Sequence, residues 1–294
     1  MNTDTTARRQ GPKARSALAT RPFAPFQFCR WPLEALEERV REAPELFTER
    51  ARSTRFPIRA IRYWWAHCAL LGEAELAGRE LDVADLGCST GILRRYMGAV
   101  HGTRWTGLDW KIDRDRLREV GYDDAVQCDF DRTLPVPDES FDVAIQLHVI
   151  EHLPRPEFSF AEMARIIRPG GLLLVGSPVM PPLLSRLREL RHRRRWKLGL
   201  QATGRHINSM DPVRWRRLAR ENGLEVELES GAFLARWSGN PLENHAWWLR
   251  LNMAWGAAVP SLGGEIYLAL RKPGTRGPAV TAACGSPRDR GTAG

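Results

Sequence analysis

The sequence predicts an α/β protein built on a doubly wound, mostly parallel sheet, and three observations lead there. Between residues 81 and 178, short strand-like runs alternate with stretches of helical spacing, the order that produces crossover connections. Three of those runs end in aspartate, at Asp85, Asp109 and Asp129. Sheets of this kind bind ligands beyond the carboxyl ends of their strands, so the three acids should face one crevice. A length of 294 residues suits one such domain with additions rather than two equal ones.

Each element has its own signal. Residues 1–24 and 274–294 are rich in Gly, Pro, Ala, Thr and Arg and read as disordered tails. Residues 25–80 read as helices that precede and cover the first strand. Leu33, Leu36, Val40 and Phe47 recur at helical spacing, with Pro44 as a point of interruption. Ile58, Ile61, Trp64, Trp65, Cys68 and Leu71 continue the pattern. The main domain spans 81–273. Within it "LDVAD" is a strand, "ILRRYMGAV" a helix, "RWTGLD" a strand and "DRDRLREVG" a helix ended by glycine. "DAVQCD" is a strand, and "SFDVAIQLHV" contains another. "RPEFSFAEMARIIRPGG" is a helix with a proline–glycine stop, and "LLLVGSP" is a buried strand.

Composition excludes several classes. Hydrophobic residues at 43% and charged ones at 27% describe a globular protein. No apolar run approaches the roughly 18 residues that a membrane span needs. The polar stretch "MNTDTTARRQGPKARSALATRP" lacks the apolar core of a secretory signal. Five cysteines with no CxxC pair point to reduced thiols in a cytoplasm and argue against a zinc site, so no metal is expected. A net charge of +9 invites a polyanion, but the arginines are scattered along the whole chain.

The stretch "DVADLGCSTGIL" carries the most chemistry. A nicotinamide-binding loop wants glycine at its first, third and sixth positions, which here hold Gly87, Ser89 and Ile92. Two of the three fail, and a dinucleotide oxidoreductase ranks last. Asp109 lies 18 positions beyond Gly91, the usual reach to a ribose hydroxyl pair. Asp129 and Phe130 pair a carboxylate with an apolar face, which suits an adenine. A pyrophosphate between Asp85 and Asp109 would be repelled, whereas a ligand with ribose, adenine and a positive centre would not.

Four motifs in order, "DLGCSTG", "GLDW", "CDFDRTLPVPDESFDVAIQLHVIEHL" and "RIIRPGGLLLVGSP", resemble those of class I S-adenosylmethionine-dependent methyltransferases. The pattern is similar to the small-molecule group that includes quinone-biosynthesis enzymes. It runs from about Leu81 to Pro178, with a looser continuation to "GGEIYLALRKP". The resemblance implies a seven-stranded, Rossmann-like sheet ending in an antiparallel hairpin, here "LEVELESGAF" and "EIYLALRK". It also implies S-adenosylmethionine as cofactor. Asp85, Gly87, Cys88 and Gly91 would then frame the methionine portion, and Asp109 would bind the ribose. Trp110, Asp129 and Phe130 would hold the adenine, while the main chain around Leu147 would close over the methionine end. Ser89 replaces the family's middle glycine, and a serine suits this turn at negative φ.

On the acceptor side, a hydroxyl substrate benefits from a base that titrates near neutrality, and His148, His152 and His206 are the candidates. In relatives, a Glu-His pair after the fourth strand borders the acceptor pocket, which adds Glu151 to His152. The same residues could instead hold a helix start, and His206 precedes a helix-start cluster at Ser209, Asp211 and Pro212. No Asn-Pro-Pro-aromatic motif follows the fourth strand, which disfavours methylation of a DNA adenine. Neither Cys88 nor Cys128 has the Pro-Cys context of cytosine C5 chemistry.

Two lid-like insertions, near 181–205 and 238–262, carry substrate-defining features. Residues 185–197 form an arginine run, and residues 241–260 place Trp247, Trp248, Leu251 and Trp255 at helical spacing. Either offers peripheral membrane contact, and both can also be read as ordinary helical faces. The expectation is methyl transfer to a small-molecule or lipid-like acceptor, with oxygen favoured, by a cytoplasmic protein peripheral to a membrane. RNA methylation and a non-catalytic binding protein with a degenerate fold are the alternatives. The oligomeric state stays open.

Overall fold

The computed structural model describes residues 33–42, 46, 47, 49–98, 100–198, 206–234 and 239–274. The expectations for residues 1–24, for 275–294 and for Pro44 lie outside them. Within the described residues one seven-stranded sheet has the order β3-β2-β1-β4-β5-β7-β6. Its strands are β1 (Leu81–Leu86), β2 (Thr103–Asp109), β3 (Asp124–Gln127), β4 (Phe141–Leu147), β5 (Ile167–Pro178), β6 (Glu225–Ala232) and β7 (Glu265–Arg271). The first five run parallel, and β7 is antiparallel to both β5 and β6. Central strands β1, β4 and β5 read as near-continuous apolar runs because both of their faces are covered.

The helices are α1 (Glu34–Glu42), α2 (Glu49–Arg52), α3 (Ile61–Ala77), α4 (Ile92–Met97), α5 (Arg114–Val120), α6 (Pro156–Arg165), α7 (Pro182–Lys197), α8 (Pro212–Glu221) and α9 (Ala246–Ala258). One face of the sheet packs on α1, α3, α4 and α9 through residues such as Leu36, Trp64, Tyr96 and Met253. The other face packs on α6 and α8 through Phe160, Met163, Trp215 and Leu218. Trp65 of α3 stacks on Tyr267 of β7 at 5.1 Å between ring centroids, which fixes α3 across the antiparallel end of the sheet. Local rules set the shorter helices. Asp113 caps α5 by accepting from the Arg116 N–H, and Gly121 closes it at φ 98°.

One element departs from the sequence reading. The helix that starts at Pro156 ends at Arg165, and "RPGG" is not its stop but part of β5. Ile167 pairs with Phe141, and the register then jumps so that Leu172 faces Val143. The extra residues form a bulge held by the Gly170 N–H to the Lys272 carbonyl at 2.8 Å. A Cβ on Gly171 would lie 2.8 Å from the Asp142 carbonyl oxygen, so glycine is needed there for close backbone approach.

Candidate cofactor and acceptor site

A cavity of about 990 Å³ opens beyond the carboxyl ends of β1, β2 and β4, where the topology places ligands. One wall is the loop from β1 to α4. Gly87 and Gly91 sit at φ 80° and 78°, and Ser89 also adopts a positive φ, 51°. This corrects the negative φ expected for Ser89. The cause is Asp109, whose Oδ2 accepts the Ser89 N–H at 2.8 Å and turns that amide towards the end of β2. Asp109 is buried, and its Oδ1 accepts from the Lys111 N–H at 3.3 Å. The carboxylate therefore organises both loops while still lining the cavity.

Asp85 does not line the cavity. It is buried beneath the loop, where the Tyr122 hydroxyl donates to its Oδ2 at 2.5 Å. Burial pushes the Asp85 pKa up to about 7, opposed by the Tyr122 bond and reinforced by the charge of Asp109. Cys88 also turns inward: a Cβ on Gly107 would lie 2.9 Å from its sulfur, and burial pushes its thiol pKa upward. Gly91 starts α4 over Tyr122 and, like Leu147, lies outside the lining. In place of Leu147 the segment after β4 presents His148 and Val149, and a Cβ on Gly87 would sit 2.4 Å from Val149 Cγ2.

The expected adenine residues do come together. Trp110, Asp129 and Phe130 all line the cavity, with Phe130 buried and Trp110 73% exposed at its mouth. The Asp129 Oδ1 accepts from the Asp131 N–H at 2.9 Å. Cys128 is also in the lining, its thiol pushed up to about 12 chiefly by burial.

His148 and His152 line the cavity from the segment after β4, which abuts the loop at Gly87. His148, at φ 59°, brings Nδ1 to 3.1 Å from Glu151 Oε1 and Nε2 to 2.9 Å from Glu265 Oε1. Burial lowers the His148 pKa, but the two carboxylates outweigh it and leave the imidazole above its ordinary value. Glu265 is itself held by Arg62 of α3 at 2.5 Å and by the Tyr267 hydroxyl at 2.9 Å. The Gln146 side-chain amide lies 2.9 Å from the Val149 N–H and 3.2 Å from the Ile150 N–H, and two facing donors assign its oxygen to that side.

His152 lines the cavity, and His206 packs edge-on against it at 4.8 Å between rings. The pairing follows from backbone bonds: the Ile207 and Asn208 N–H groups both donate to the Glu151 carbonyl, at 2.8 and 3.0 Å. Burial lowers the His206 pKa, helped by neighbouring His152 and Arg188 and opposed by Glu151. Ligand-type atoms of Glu151, His152 and His206 lie within 4.8 Å of one another, the spacing of a group that could hold a cation.

The sequence reading missed Tyr122, Gln146, Val149, Arg62 and Glu265. Only Glu265 carried a signal, as an acid opening a strand that is apolar from Ile266 to Leu270.

Does the cavity suit a sulfonium nucleoside? Asp109, Asp129 and Asp131 line it, and no arginine or lysine is among the described lining residues, although the chain carries +9 overall. That lining favours a cation and disfavours a pyrophosphate. A buried acid for ribose, an apolar ring for adenine and a negative lining for the positive centre fit S-adenosylmethionine.

Comparison with known proteins agrees. The methyltransferase domain family matches residues 84–175. Methyltransferase GfsG of Streptomyces halstedii is 32% identical over 105 residues, 33% of this chain and 38% of that one. The ubiquinone biosynthesis O-methyltransferase of Thiobacillus denitrificans is 32% identical over 180 residues, 54% of this chain and 69% of that one. This chain thus matches well under half the length of the former relative and about two thirds of the latter. A solved structure from Galdieria sulphuraria, provisionally assigned as a sarcosine dimethylglycine methyltransferase, superposes with a TM-score of 0.52 at 18% identity. That match covers 73% of this chain and 86% of the other, and it shows a shared fold.

Proposed function

This chain belongs to the class I S-adenosylmethionine-dependent methyltransferases, and from that premise we propose that it methylates a small-molecule or lipid-like acceptor at oxygen. The observation that carries the reading is one cavity that Asp109, Phe130 and His152 line together. The similarity to an O-methyltransferase supports oxygen as the acceptor atom.

S-adenosylmethionine, when bound, supplies a methyl group already activated on a sulfonium. The chain's own task is therefore to hold, orient and exclude water. Asp109 binds the ribose hydroxyls, Phe130 and Trp110 hold the adenine, and Asp129 accepts from its exocyclic amine. The three lining aspartates complement the positive charge.

On the acceptor side, His148 is a poor base, because both of its nitrogens face carboxylates that favour the imidazolium. His152 faces the cavity and takes the acceptor's hydroxyl proton. His206 beside it, with its lowered pKa, stays neutral at pH 7 and supports the same role.

The test is label transfer from methyl-labelled S-adenosylmethionine into separated lipid, small-molecule and RNA fractions of a cell extract. Label in the lipid or small-molecule fraction is expected. Label in RNA alone would overturn the acceptor class, and failure to bind S-adenosylhomocysteine in calorimetry would overturn the cavity assignment.

A further inference from the structure

Helix α7 is folded onto the domain with its faces reversed. A surface helix ordinarily turns its apolar stripe inward and its charges outward. Here the inward residues are Ser185, Arg188, Glu189 and His192, at the spacing of one helical face, and each is buried or half-buried. They are held by polar contacts. The Ser185 hydroxyl donates to the Ser209 carbonyl at 3.1 Å, and Glu189 Oε2 meets Arg214 Nη1 at 3.1 Å. The outward face carries Leu183, Leu184, Leu187 and Leu190, exposed by 71%, 50%, 56% and 66%. Exposed Arg191 and Arg194 are interleaved with those leucines on the same face, and exposed Arg186 and Arg195 flank it.

We propose that α7 is an interfacial helix that seats this outward face on an anionic phospholipid bilayer. Four leucines on one exposed face suit the acyl boundary, and the arginines around them suit phosphate headgroups. Charge complementarity sets the partner. The helix has six arginines and one lysine against a single glutamate, Glu189, which is engaged inward by Arg214. A cleft of about 660 Å³ beside α7 continues the basic surface, lined by Leu190, Arg193, Arg194 and Lys197, while its one acid, Glu157, is paired with buried Arg214. Pro154 lines both this cleft and the cofactor cavity. Docking through α7 therefore sets the cofactor cavity beside the lipid, where an apolar acceptor is concentrated.

This goes beyond the methyl-transfer reading. The test needs neither cofactor nor acceptor, so either conclusion can fail alone. The full chain is co-sedimented with vesicles of phosphatidylcholine, with and without phosphatidylglycerol, at several salt concentrations. Binding to the anionic vesicles alone, weakening as salt rises, is expected. L187Q/L190Q should lose at least about 10-fold in vesicle affinity, and R194Q/R195Q about 25-fold, near five-fold per arginine. Both variants should keep the wild-type melting temperature, because all four side chains are exposed. The proposal is overturned by absence of sedimentation, by equal binding to neutral vesicles, or by full binding in L187Q/L190Q. It is overturned equally if W247Q/L251Q on α9 abolishes binding while the α7 variants retain it, or if the chain binds an RNA duplex and no vesicle.

Discussion

Replacement of Asp109 separates the ribose-binding role proposed for it from the anchoring role its hydrogen bond to Ser89 shows. Its carboxylate is available to ribose and also anchors the Ser89 N–H at 2.8 Å, holding a non-glycine residue at φ 51°. Asp109→Ala removes a charge-assisted acceptor, which typically contributes about 1.5–3 kcal/mol, or roughly 10- to 150-fold in affinity. It also frees a residue whose left-handed conformation costs about 1–2 kcal/mol, so the loop should relax away from its binding shape. Asp109→Asn keeps one oxygen for Ser89 and loses only the charge and one acceptor. Calorimetry with S-adenosylhomocysteine should rank affinity as wild type, then Asn, then Ala. Thermal unfolding without ligand should show the Ala variant as the less stable of the two. A folded Asp109→Ala protein with wild-type affinity would refute the ribose assignment. Equal effects of Asn and Ala on stability would refute the anchoring role.

Ser89→Gly should raise the melting temperature, since relief of the left-handed strain outweighs the added unfolded-state freedom by about 0.5–1 kcal/mol; a lower value would contradict the strain. Gly87→Ala, at φ 80° and with its new methyl 2.4 Å from Val149 Cγ2, should cost more than about 1 kcal/mol of stability and weaken S-adenosylhomocysteine binding. The raised Asp85 pKa makes its stabilising contribution complete below about pH 3.8 and lost as pH climbs through about 7, a fall of at most about 4 kcal/mol. Asp85→Asn cannot titrate, so its stability curve from pH 4 to 7 should lack that fall, and an unchanged slope in denaturant melts would count against the buried acid. His152→Ala should slow methyl transfer by about 10²–10⁴-fold with little change in S-adenosylhomocysteine affinity, and full activity in a folded variant would exclude it as the base.

What could be read from the sequence was what depends on local pattern. Strands β1, β4 and β5 announce themselves as largely apolar runs and β2 as a mixed run closed by Asp109, and their parallel order follows from the helices between them. Asp109, Trp110, Asp129 and Phe130 converge because strand ends in a doubly wound sheet converge. What failed depended on partners distant in the chain. "RPGG" has the composition of a helix stop, yet pairing with Lys272 and Phe141 makes it a bulged strand. Asp85 has the same flanking pattern as Asp109, but Tyr122, 37 positions away, claims its carboxylate. Glu265 lies 117 positions from His148 by numbering, and only the antiparallel return of β7 sets them 2.9 Å apart.

Net charge was the least informative number for the same reason. A total of +9 suggests an anionic ligand, but a site responds to the charges that line it. Screening at physiological salt reduces exposed charges beyond about 8 Å to a small influence. The cofactor cavity is lined by three aspartates and no described arginine or lysine, so locally it is a cation site. The basic excess is carried elsewhere, with α7 alone holding six arginines on the far side of Pro154. A fold that placed those arginines around the cavity would repel a sulfonium and attract free nucleotides. Keeping the two signs apart lets one chain hold a positive nucleoside inside and present a basic surface outside, and it makes the sign of each surface a separate question from the sign of the whole.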